Sequence, residues 1–365
     1  MYLYFVISLK NRTKPISAFS VLALTAIIVM NLTIKKILYT LSFFFLHLSG
    51  YSQKVFYNVS ERNWREEHIS DSLKLDFSVF LISDLGHLNT KPKISENLLK
   101  EVSNSNGRDV LIFLGNNTKN FASAENDSLP ELKLTKAFKG RTLYIPGHSR
   151  GLVNKQFPKD ACSGPTEINI DNLTIITINS QWWIKREEDT VCPPISKIEF
   201  TRKLKSIIAK NRDKHILLAQ HHPLYANSRH GGYFTVKDHI FPLRAIHKAL
   251  YIPLPVIGSA YPILRQQGIY RQDLANKHYK AFIEMIKNSI INESNLVVAS
   301  GHEKVIQLTK DGNINQVISG SSVEATKFLR EKSALFGVGA LGYAKLNYYT
   351  NGQCWVDFII KDKDT

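Results

Sequence analysis

The sequence predicts an α/β protein: a mixed β-sheet flanked by helices and finished by an antiparallel set, an arrangement that fits two packed sheets. Two observations predict it. From Asp76 onward short apolar runs alternate with helical patterns, and the last third of the chain carries several strand-like runs with little helical pattern between them. In order, FSVFLIS reads as a strand, Ile94 to Val102 as a helix, DVLIFLG as a strand, Leu132 to Phe138 as helical and TLYIPG as a strand. TEINI and LTIITIN, joined at Asp171-Asn172, read as a hairpin. A basic helix from Ile198 to Lys210 follows, then HILLAQ and LVVAS as strands, then QVISG, GYAKLNYY and CWVDFII as three late strands.

A chain of 365 residues is long enough to bury one large core, and its 44% hydrophobic and 21% charged composition is that of a globular protein. The expected organisation is an apolar N-terminal segment over residues 1–52, a linker over 53–75 and one domain over 76–361. Ile16 to Val29 and Ile37 to Leu48 are each shorter than the about 20 residues of a comfortable bilayer crossing. The second follows Met30 and the pair Lys35-Lys36 and ends in the small residues Ser49, Gly50 and Ser52, the layout of an export signal cleaved near Ser52 or Gln53. Met30 then becomes an alternative start. The competing reading is an uncleaved membrane anchor built from both stretches. The expected location is accordingly the periplasm or cell envelope.

The formal net charge is +16. Such a surface favours anionic lipids or phosphorylated ligands, while scattered solubilising lysines are the simpler account of it. Nothing interleaves a Lys/Arg block with aromatics, so no nucleic-acid groove is indicated. Of three cysteines, Cys162 and Cys192 flank a polar stretch and are the pair expected to form a disulfide, whereas Cys354 sits in an apolar strand pattern as a small hydrophobe.

Chemistry in folds of this class gathers at strand ends. Five successive ends carry polar or ionisable groups: Ser83-Asp84-Leu85-Gly86-His87, Gly115-Asn116-Asn117, Pro146-Gly147-His148-Ser149, Gln220-His221-His222-Pro223 and Ser300-Gly301-His302-Glu303-Lys304. In kind and order they resemble the motifs of the calcineurin-like metallophosphoesterases, from about Phe77 to Ile360. SQWWI at Ser180, HHPLYANSRHGGYF at His221 and LPVIGSAYPILRQQG at Leu254 are similar to stretches of an exported bacterial, purple-acid-phosphatase-like branch. The resemblance implies a four-layer αββα sandwich and a pair of metal ions over a phosphate ester.

Carried over position by position, the resemblance makes Asp84, His221 and His302 metal ligands and His148 the proton donor. It also exposes departures. Asn116 stands where a bridging aspartate belongs, and Lys304 where the last ligating histidine belongs. Two divalent ions about 3.5 to 4 Å apart repel strongly and need a bridging carboxylate and a shell of neutral or anionic donors. An amide supplies no charge, and an ammonium has three donors and no acceptor. Lys304, with Arg150, is therefore expected to act as counter-charge to Asp84 in place of the lost cations. The implied protein is a degenerate phosphoesterase that needs no metal and binds an anionic or phosphorylated ligand through Arg150, His222, His230, His221 and Lys304, or docks an envelope partner. The alternative is a phosphoesterase retaining a reduced site with a divalent zinc, manganese or iron ion. The loop from Tyr251 to Tyr270 is the stretch best suited to a docking arm.

Overall fold

Strand residues alternate between two apolar layers, and that alternation fixes the architecture. In the computed structural model, the residues described are 55–58, 72–85, 95–117, 130–147, 164–185, 195–247, 249–254, 256–329 and 333–361. The expectations for the N-terminal segment, Cys162, Cys192, His148 and Arg150 fall outside them.

One sheet has five strands, in the order β13-β12-β2-β3-β4: β2 (Leu75–Ile82), β3 (Val110–Phe113), β4 (Arg141–Tyr144), β12 (Gly342–Tyr349) and β13 (Cys354–Ile360). β2, β3 and β4 are parallel, and β12 and β13 add antiparallel beside β2. The second sheet has eight, in the order β1-β11-β9-β10-β8-β7-β6-β5. Its strands are β1 (Phe56–Tyr57), β5 (Thr166–Ile170), β6 (Leu173–Ile178), β7 (His215–Gln220), β8 (Leu296–Ser300), β9 (Ile306–Asp311), β10 (Ile314–Ser319) and β11 (Ala334–Val338). β6, β7, β8 and β10 run parallel, and β5, β9 and β11 pair antiparallel.

In β2, Phe77, Val79 and Leu81 point one way and join Val110, Ile112, Ile175, Leu217, Ala299 and Leu346 in the layer between the sheets. Phe80 and Ile82 point the other way, onto Leu98 and Val102 of α1 (Ser95–Ser103) and Leu134 of α2 (Pro130–Ala137). The outer face of the larger sheet is covered by α3 (Ser180–Lys185), α4 (Lys197–Lys210) and α7 (Lys277–Ile290), through Trp183, Phe200, Leu204, Tyr279, Phe282 and Ile286. The result is helix, sheet, sheet, helix, the four layers implied by the resemblance. Two short helices, α5 (Val236–Ile240) and α6 (Ala260–Gln266), occupy the stretch between β7 and α7. Among the described residues no helix is long and apolar enough to cross a membrane.

Three features differ from the sequence expectation. The late strands do not form one antiparallel set: β10 lies parallel to β8 in the larger sheet, while β12 and β13 complete the smaller one. Phe56–Tyr57, within the expected linker, pairs with Gly337 and Phe336 as an edge strand. The helix α7 was not anticipated, although Tyr279, Phe282, Ile286 and Ile290 recur at helical spacing and are all buried.

Candidate functional site

Register brings the strand ends together. Ile82, Phe113 and Tyr144 are cross-strand partners, so Asp84, Asn116 and Gly147 leave the smaller sheet at one edge. Gln220 and Ser300 are likewise partners in the larger sheet, so His221 and His302 leave it side by side. Gly301 N–H donates to His221 O at 3.1 Å, joining the two turns. The sheets meet here closely. A Cβ on Gly301 would lie 2.1 Å from Ser83 Oγ, and one on Gly147 would lie 2.4 Å from Asn116 N, so both positions require glycine. Of the five non-glycine residues at positive φ among the described residues, three are Asp84 (49°), Asn116 (58°) and His302 (66°). Strained backbone of this kind concentrates where the surrounding fold over-determines a site.

A hydrogen-bonded chain crosses from one sheet to the other. His221 Nδ1 is 2.6 Å from Leu114 O, a carbonyl that can only accept, so Nδ1 carries the proton and Nε2 the lone pair. Asn116 Nδ2 stands 3.3 Å from that Nε2 and 3.4 Å from Asp84 Oδ1, donating to both. The amide therefore links Asp84 on the smaller sheet to His221 on the larger one. Asp84 also accepts from Ser83 Oγ at 2.8 Å. Burial pushes the Asp84 carboxyl up to about 6, against the opposing pull of the Ser83 hydroxyl, the Lys304 charge and the Asn116 amide. Burial likewise holds His221 well below the ordinary histidine range, neutral at physiological pH.

Three imidazoles, His221, His222 and His302, are buried and place one ring nitrogen each within 4.8 Å of one another. Their rings are 4.5 to 5.1 Å apart, and His230 lies 4.3 Å from His302. The donor set does not fit a two-metal centre. Both nitrogens of His222 are engaged, Nδ1 with Ser180 Oγ at 2.8 Å and Nε2 with Gln272 Oε1 at 2.6 Å. His302 Nε2 donates to Gln272 O at 3.0 Å, leaving its lone pair on Nδ1. Asn116 already donates to the lone pair of His221.

Lys304 divides its charge between two carboxylates. Its ammonium forms a salt bridge with Glu324 at 2.6 Å and acts on Asp84 through space, lowering that carboxyl less than the Ser83 hydrogen bond does and more than the Asn116 one. His230 is held by Asp273, Nδ1 to Oδ1 at 2.9 Å, and Asp273 in turn pairs with Arg265. Burial raises Asp273, but the Arg265 and His230 hydrogen bonds outweigh it and hold the carboxyl below its usual range.

Two participants escaped the sequence reading. Gln272 links His222 and His302 by side chain and backbone, and nothing in its local sequence marks it. Glu303 is buried beside this cluster, accepts a hydrogen bond from Ser228 Oγ and is pushed up to about 7 by burial. The acid in GHEK was the available signal for it.

No protein-family model matches the sequence, and no curated protein matches it. Among solved structures, GAP50, the anchor in the inner membrane complex of Plasmodium, is similar at 14% identity, covering 80% of this chain and 86% of its own, with a TM-score of 0.49. PhoD is similar at 10% identity, covering 78% of this chain and 65% of its own, with a TM-score of 0.49. A single mutant of Vps29 from Entamoeba histolytica is similar at 9% identity, covering 78% of this chain and 99% of its own, with a TM-score of 0.29.

Proposed function

We propose that this protein is an exported, phosphoesterase-like binding or scaffold module of the cell envelope, in which direct hydrogen bonds replace the metal ions of an active phosphoesterase. One observation carries the reading: Asn116 donates to both Asp84 and His221 from the place of a bridging ligand. An aspartate there would set two carboxylates against each other and call for cations. An amide satisfies both neighbours without them. The engagement of both His222 nitrogens supports the same reading, since ligation would break a buried hydrogen bond. The basic surface favours an anionic or phosphorylated ligand, and the N-terminal apolar stretches support export or anchoring.

The proximity of His221, His222 and His302 favours a second reading, a single divalent ion bound after rearrangement of Gln272 and Ser180. Measuring bound metal in the purified chain, with hydrolysis of an aryl phosphate in added manganese or zinc, separates the two. The binding reading expects no stoichiometric metal and no turnover. Stoichiometric metal with turnover abolished by His302→Ala would establish the enzyme instead. Asn116→Asp together with Lys304→His is expected to restore metal binding by returning an anionic bridge and an imidazole.

A further inference from the structure

Large apolar side chains are unevenly exposed. Sixteen stand out among the described residues, and ten of them fall between Val236 and Tyr270. Among those ten the most exposed are Val256 at 88%, Ile246 at 79% and Ile257 at 74%. They sit on a small unit built from α5, α6 and the turns between them, tied together by Leu254 N to Ile240 O at 2.8 Å and Gly258 N to Leu254 O at 2.6 Å. Val256 adopts a φ of 69°, a conformation a β-branched residue rarely takes, at the turn that presents it and Ile257 outward. A Cβ on Gly258 would lie 2.1 Å from His239 O, so the turn is pressed directly onto α5.

Charge in this segment is predominantly basic. Between Val236 and Tyr270 the sequence carries Lys237, Arg244 and Lys248, besides Arg265, which is buried against Asp273, and a single acid, Asp238. Among the described residues, Lys237 and Arg244, with Arg229 and Lys327, line a cavity of about 360 Å³ that also holds the carboxylates Asp238, paired with Arg229, and Glu324, paired with Lys304. Tyr251 and Tyr270 are half exposed, and Arg244 stacks over the Tyr251 ring at 4.5 Å. Aliphatic tips, flanking cations and half-exposed tyrosines are what an interfacial contact with an anionic bilayer requires: apolar side chains enter the acyl boundary, tyrosines sit at headgroup level and cations meet phosphates.

We propose that the segment from Val236 to Tyr270 is a membrane-docking arm that seats Ile246, Val256 and Ile257 in an anionic lipid surface, with the cavity of Lys237 and Arg244 receiving a lipid headgroup phosphate. Arg265 on α6 ties the arm to the strand-end site through Asp273 and His230. The basic residues beside these exposed aliphatic side chains favour an anionic lipid surface as the occupant.

The test is hydrogen exchange of the full chain in nanodiscs of phosphatidylcholine alone and of equimolar phosphatidylcholine and phosphatidylserine. Peptides spanning residues 244–258 are expected to exchange several-fold more slowly on the anionic discs. Val256→Asp with Ile257→Asp, at positions too exposed to disturb the core, is expected to abolish that difference, and Lys237→Glu with Arg244→Glu to reduce it. Equal exchange on both discs would overturn the proposal. So would protection that grows with protein concentration in the absence of lipid, which would mark a second copy as the occupant, or protection reproduced by inorganic phosphate alone.

Discussion

Asp84 shows how one buried carboxyl records the condition of the whole site. Its folded value of about 6 lies above the ordinary 3.8, so the folded chain holds that proton more tightly than the unfolded one. No penalty exists below about pH 4. It grows as the pH rises through 6 and is constant beyond, with a size of roughly 3 kcal/mol at about 1.4 kcal/mol per unit. Asp84→Asn removes the titration. In urea denaturation with a chelator present, the stability difference between the variant and the parent chain is expected to rise in favour of the variant between pH 4 and 6, then level off. A flat difference across that range would mean that hydrogen bonding cancels the effect of burial. At this scale the sequence marked Asp84, Asn116, His221 and His302, because strand-end positions are visible in a pattern of apolar runs. It could not show that Lys304 turns to Glu324, a residue 20 positions away, since competition between two carboxylates is settled only by distance.

Among the elements, α7 illustrates the difference between packing and capping. Its N-terminus is closed by Asn276, whose side chain accepts from His278 N and donates to Gly268 O at 2.7 Å. Its buried face sets Phe282 against Trp183, with ring centroids 6.0 Å apart. Asn276→Ala is expected to cost about 1 to 2 kcal/mol and Phe282→Ala about 3 to 5 kcal/mol, measured by chemical denaturation. A reversal of that order would show that the helix is held by its end and not its face. The hairpin of β5 and β6 and the central strands were read from the sequence, whereas α7 was missed although its apolar residues recur at helical spacing. β1 and β11 were not: a two-residue strand and a short strand containing Gly337 have too little pattern, and they exist because β9 offers an edge to β11 and β11 in turn offers one to β1.

Across the whole molecule, the two sheets are joined by an apolar layer and trimmed by charge. Arg108, half exposed, bridges Asp76 on β2 and Asp171 in the β5–β6 turn, while Phe77, almost fully buried, stacks on Tyr348 with centroids 5.0 Å apart. Solvent screens the first contact, whereas loss of the second leaves a cavity. Phe77→Ala is expected to cost about 3 to 5 kcal/mol, and Arg108→Ala to leave the denaturation midpoint essentially unchanged. A large effect of Arg108→Ala would assign the alignment of the sheets to ion pairing. The sequence by itself determined the α/β class, the succession of the central strands along the chain and the five polar strand ends, because period and turn chemistry are local properties of the chain. Only the tertiary structure decided how the late strands divide between two sheets, which nitrogen of each histidine is engaged and which carboxylate Lys304 pairs with. Those outcomes depend on groups remote in sequence competing for the same edge, proton or charge, and that competition is resolved only in three dimensions.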